Sequence, residues 1–95
     1  MTAHNLKIWP DQYALLRSGL KTFEFRKNDR DFQVGDILLL REWDPGSGTR
    51  ETGPWASGHY TDADWILRGV THVLRGPDFG VPEGYAVLSL AVSGG

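Results

Sequence analysis

Residues 18–36 read SGLKTFEFRKNDRDFQVGD. After Lys21 the chain alternates strictly: Phe23 and Phe25 fall on one face, Thr22, Glu24 and Arg26 on the other. This is the pattern of a half-buried strand, aromatic on one side, whose ionisable face is more than solvent decoration. With Arg17 at its edge, the stretch carries five of the ten basic residues (Arg17, Lys21, Arg26, Lys27 and Arg30). Only four acids accompany them, Glu24, Asp29, Asp31 and Asp36, in a chain of formal charge -2. A basic segment in a slightly acidic chain points to a binding face more directly than net charge does.

Upstream, His4 to Ile8 reads as a short strand with Leu6 and Ile8 inward and Lys7 outward. Trp9-Pro10-Asp11 then opens a helix, because proline suits the first helical position and an acid in the first turn complements the dipole. Tyr13, Leu16 and Leu20 recur at helical spacing, Leu15 widens the apolar stripe, and Gly19 supplies a left-handed stop. The predicted helix is Pro10 to Ser18. Downstream, Lys27 to Asp31 is too polar for a strand interior, and Val34-Gly35-Asp36 is a turn into a strand from Ile37 to Trp43. That strand is apolar at nearly every position, as expected of a central strand buried on both faces.

Beyond it, Asp44 to Asp64 is rich in glycine, proline and serine; residues 46–64 read as a loop or flap, with a short strand at Thr49 to Thr52 as an option. A loop of that length is uncommon in a compact domain. A further strand is predicted between Trp65 and Leu74, with Trp65 in the core and Gly69 marking a bulge or bend. Arg75 to Gly84 is a loop pinned by Pro77 and Pro82. Tyr85 to Val92 is the last strand, and residues 93–95 a frayed tail.

Ninety-five residues make one domain, spanning 1–95. The absence of cysteine excludes disulfides, thiolate catalysis and cysteine-based zinc sites. No apolar run approaches the ~20 residues of a membrane span. No basic segment followed by an apolar one marks a signal peptide, so a cytoplasmic protein without membrane partners is expected. His4, His59 and His72 lack metal-ligand spacing, and Asp29, Asp31 and Asp36 lack the order of a calcium loop; no metal or cofactor is expected. Five or six short strands with one early helix make an α+β fold, a small mixed barrel.

The ordered pattern SGxKTxExRxNDRxFxVGDxLxLREWD over residues 18–44 resembles the ASCH superfamily of PUA-like β-barrels, and within it the DUF3850 type of small bacterial and phage proteins. The resemblance resumes at GVPEGYAVLS, residues 80–89, and includes HNLKI at residues 4–8; it covers most of the chain outside residues 46–64. It implies a PUA-like barrel with a ligand cleft beside the basic segment.

The candidate site follows from both readings. Lys21, Glu24, Arg26, Asn28 and Arg30 form one polar set, with Lys7 joining from the neighbouring strand. The cations suit phosphate, and Glu24 and Asn28 suit the edge of a base. From the residues alone the favoured reading of the same set is a solvated network of ion pairs, worth little energetically. The resemblance favours binding, with RNA or a modified nucleoside or nucleotide as partner. Trp9 and Trp43 stand at strand ends beside charged residues and Trp55 in the flap, where each is placed to stack on a base. Some ASCH relatives resemble amidohydrolases of N4-acylated cytidines, and a ribonuclease is a further hydrolytic alternative. The amidohydrolase lysine maps onto Lys21; where the relatives carry a nucleophilic threonine this chain has Glu24. An enzyme would therefore rest on Lys21 and Glu24, with the threonine route displaced.

Overall fold

The computed structural model describes residues 1–46 and 58–91. The option of a strand at Thr49 to Thr52, the role given to Trp55 and the frayed tail lie outside them. The described chain runs β1 (Ala3–Ile8), α1 (Pro10–Ser18), β2 (Phe23–Lys27), β3 (Ile37–Asp44), β4 (His59–Tyr60), β5 (Ile66–Arg75), a 3-10 turn (Asp78–Gly80) and β6 (Tyr85–Leu90). The strands form one mixed six-stranded sheet in the order β1-β3-β5-β6-β2, with β4 attached to β3. β1 runs parallel to β3, and the other pairs are antiparallel. The described ladders do not close the sheet: β1 and β2 are its two edges.

The helix begins and ends where its chemistry predicts. Pro10 occupies its first turn, and Gly19 follows it at φ 81°, donating its N–H to the Leu16 carbonyl at 3.2 Å. That left-handed residue turns the chain away, so Leu20 drops off the stripe and is exposed, as Leu15 is in part. The buried helical residues are Tyr13 and Leu16. They meet a core built from Leu6 and Ile8 of β1, Leu38 and Leu40 of β3, and the inward side chains of β5 and β6.

The phase of β2 is the largest departure from expectation. Glu24 stands opposite Leu88 of β6 and Arg26 opposite Ala86, and both β6 residues are completely buried. Opposed residues share a face, so Glu24 and Arg26 face inward. Phe23 and Phe25 face outward, each about half exposed, with Phe25 stacked on Tyr85 at 5.4 Å between centroids. The strict alternation is present, but the ionisable face is inside. The inward pattern Ala86, Leu88, Leu90 fixes the register of β6, and β2 inherits it.

Two smaller differences have local causes. The bulge in β5 lies at Thr71, between the Val70 and His72 pairs, while Gly69 pairs regularly with Ile37. Trp65 precedes β5 and is 50% exposed; the Arg41 guanidinium lies over its ring at 4.2 Å and over Tyr60 at 3.6 Å. Stacking on arginine thus replaces the core position expected for Trp65.

A polar pair holds the entrance of β3. Gly35, at φ 94°, turns the chain, and Asp36 behind it is buried. Its carboxylate lies 2.8 Å from His4 Nε2 and accepts the N–H groups of Gln33 at 3.0 Å and Thr2 at 3.1 Å. His4 also packs edge-on against Phe32 at 4.7 Å. The His4 contact first, then the Gln33 and Thr2 amides, stabilise the carboxylate and hold its pKa at about 2, below the ordinary 3.8. A pKa lower in the folded than in the unfolded chain contributes stability that is full above 3.8 and lost as the pH falls through about 2. Asp36→Asn is therefore expected to be less stable at neutral pH and to show a flatter pH dependence across that acid window. Urea midpoints measured through the window check this; parallel wild-type and variant curves would refute it.

Candidate functional site

The edges β1 and β2 approach each other without pairing, and side chains bridge them. Arg26 of β2 donates through Nη2 to the Lys7 carbonyl at 2.6 Å, and Arg30, in the following loop, donates through Nη1 to the Asn5 carbonyl at 2.9 Å. Edge strands present unpaired carbonyls that attract further pairing; here two of them receive guanidinium groups. Between the edges and the start of α1 lies a cavity of about 480 Å³, lined by Lys7, Ile8, Trp9, Gln12, Lys21, Glu24, Phe25, Arg26 and Lys27. That volume falls within the ~300–1,000 Å³ of small-molecule sites.

Glu24 is the centre of this cavity's chemistry. It is 5% exposed, with Oε1 3.3 Å from the Lys21 ammonium and Oε2 3.1 Å from Arg26 Nε. Burying a carboxylate is costly unless charge and hydrogen bonds compensate, and two cations do so here. Lys21 also donates to the Gln12 side-chain carbonyl at 2.6 Å. A carboxylate offers about four acceptor positions, so the two described ion pairs leave capacity for a donor from a ligand. Lys27, exposed at the end of β2, adds a further cation to the lining.

The structure thus gathers Lys7, Trp9, Lys21, Glu24 and Arg26 around one cavity. Asn28 is engaged elsewhere: its Oδ1 accepts the Phe32 N–H at 3.0 Å and its own N–H bonds the Gly84 carbonyl at 2.8 Å, so it shapes the loop. Arg30 is outside this cavity and beside it. Trp43 is buried, edge-to-face with Tyr60 at 5.0 Å and beneath the Lys7 ammonium at 4.0 Å; it does not line the cavity.

Gln12 is the residue that sequence reasoning missed. A signal existed: Trp9, Gln12, Tyr13 and Leu16 follow the i, i+3, i+4, i+7 spacing of one helical face. A single amide on an otherwise apolar face is a polar group carried inward. Lys27, counted in the basic segment but read as the start of a loop, is the last residue of β2 and lines the same cavity.

The fold and site describe a small α+β protein with a curled, open mixed sheet and a basic cavity at its seam. The family model for a domain of unknown function, DUF3850, matches residues 3–90. The chain belongs to that family. It is also similar to an uncharacterized 12.9 kDa protein in the GpA 3′ region of Escherichia phage P2, with 36% identity over 64 residues. That match covers 66% of this chain and 59% of the phage protein, less than two thirds of the relative's own length. Among the described residues no helix is long and apolar enough to cross a membrane.

Proposed function

We propose that this chain binds a nucleoside, free or within RNA, with the base in the cavity between β1 and β2. The observation that carries this reading is the buried Glu24 carboxylate, held by Lys21 and Arg26 in a cavity that Trp9 also lines. A carboxylate accepts hydrogen bonds from an exocyclic amino group such as that of cytosine, the indole offers a surface for stacking, and the cations suit phosphate. The resemblance to PUA-like barrels adds support, since such a barrel would carry its ligand cleft beside the same basic segment, and here Arg26 and Arg30 bridge the two sheet edges at that place. The hydrolytic alternative has less behind it. None of the described residues lining the cavity is serine, threonine, cysteine or histidine, and Thr22 lines a different cleft, with Arg17 and Arg68. Lys21 and Glu24, the two groups left for catalysis, are engaged with each other.

The test is titration with cytidine and with short single-stranded RNA, followed by tryptophan fluorescence, with Trp9→Phe used to assign the signal. Trp9 is only half-buried, so Trp9→Ala is expected to forfeit about 1 kcal/mol, the lower end of base stacking and about fivefold in affinity. Truncating Lys21 and Arg26 together is a poor probe, because it strands the buried Glu24. Lys27→Ala is the cleaner variant: RNA affinity should fall and its salt dependence lose about one counterion. Unchanged RNA affinity and salt slope in Lys27→Ala, with no effect of Trp9→Ala, would leave a buried structural ion-pair network in place of a site.

A further inference from the structure

A second cavity of about 390 Å³ adjoins the first and is lined by Asn5, Lys7, Arg26, Asp29, Arg30 and Tyr60. The two share Lys7 and Arg26. Among the described residues its lining holds no tryptophan and no buried acid; three cations accompany one carboxylate, that of Asp29. Its two arginines are fixed by backbone. Arg26 reaches the Lys7 carbonyl and Arg30 the Asn5 carbonyl, two residues apart along β1, which is ~6.6 Å at ordinary strand rise. A guanidinium carries five N–H donors. Glu24 and Lys7 take two of those on Arg26, and Asn5 takes one on Arg30, so both retain donors among the described contacts. Two guanidinium groups held at that separation can both donate to one phosphate, each through charge-assisted bonds.

We infer that this second cavity is a phosphate subsite, so that the ligand is a nucleotide, alone or as a unit of RNA, and not a free nucleoside. The inference rests on the reading of the first cavity as the base site. The two cavities adjoin at Lys7 and Arg26, so a base in one would bring its own phosphate within reach of the other. Asp29 opposes an anion, but the three surrounding cations outweigh it.

The experiment compares cytidine, its 5′- and 3′-monophosphates and inorganic phosphate on the full chain at low salt. One of the two monophosphates should bind about tenfold or more tightly than cytidine, with the advantage shrinking as salt rises. Inorganic phosphate should erase that advantage without weakening cytidine. In Arg30→Gln the ratio of the two affinities should fall to about one, and Arg30→Lys should restore part of it; amide spectra of both variants check that the loop keeps its shape. Equal binding of cytidine and both monophosphates would overturn the subsite and leave the base site standing. Phosphate shifting the Arg30 and Asn5 resonances with no base-dependent binding would do the reverse, leaving an anion site and removing the base reading. Silence from every ligand would remove both.

Discussion

Phe32→Ala is expected to remove about 3–5 kcal/mol of stability, the usual cost of truncating a fully buried phenylalanine. At ~0.05–0.15 kcal/mol per residue, a chain of 95 residues has about 5–14 kcal/mol in total, so this one change approaches the threshold of unfolding. Phe32 is 1% exposed and anchors the loop between β2 and β3 from both sides. Its N–H is held by Asn28, its carbonyl accepts Arg75 Nη2 at 2.9 Å, and its ring meets His4. Phe79→Ala is the matched control. Phe79 also follows an aspartate in a polar loop, but it is 90% exposed, and its loss should stay within about 0.5 kcal/mol. Urea denaturation of the three proteins decides the matter: near-equal midpoints for Phe32→Ala and wild type would mean that the loop packs differently.

The comparison of Phe32 with Phe79 also shows where sequence reasoning stops. Both read as Asp-Phe in a polar stretch, and nothing local separates a ring inserted between His4 and the core from one in solvent. The elements that were legible are those governed by neighbours in sequence. The helix from Pro10 to Ser18 follows from a proline, a stripe and a glycine, and the last strand follows from Ala86, Leu88 and Leu90. What was not legible depends on partners far along the chain. His4 finds Asp36 across 32 residues, and Arg41 collects Tyr60 and Trp65 from beyond the loop.

The phase of β2 belongs to the same class. Taken alone, Phe-Glu-Phe-Arg puts the rings inside, since burying apolar surface is favourable and burying charge is not. Two things outside the strand reverse that preference. β6 fixes which side chains point inward, and Lys21, itself bonded to the Gln12 side-chain carbonyl, receives the carboxylate once it is there. The candidate site was therefore found through its charge, while its geometry, with the ionisable face lining a cavity, came from the sheet. The i, i+3, i+4 face of α1 was the one local clue that a polar side chain from elsewhere would meet it.

Glu24→Ala should have the largest effect on binding. In the proposed complex the carboxylate accepts from the base, and a hydrogen bond to a charged group that is lost with its partner buried costs about 3 kcal/mol, more than a hundredfold in affinity. Glu24→Gln keeps the shape and one acceptor oxygen, so its loss should be smaller, about tenfold. Both variants leave Lys21 and Arg26 near each other without the charge between them, and both should unfold at lower temperature than wild type. Loss of cytidine alone therefore does not separate a missing contact from a damaged fold. Inorganic phosphate does. Removing a negative charge beside Arg26 strengthens the local positive field, so phosphate should bind the Glu24 variants at least as tightly as wild type. A damaged fold loses both ligands, and a purely structural network of ion pairs binds neither before nor after the change. Only a base-reading carboxylate makes cytidine binding fall while phosphate binding holds or rises, and a parallel loss of the two would return Glu24 to the role of a buried ion-pair partner.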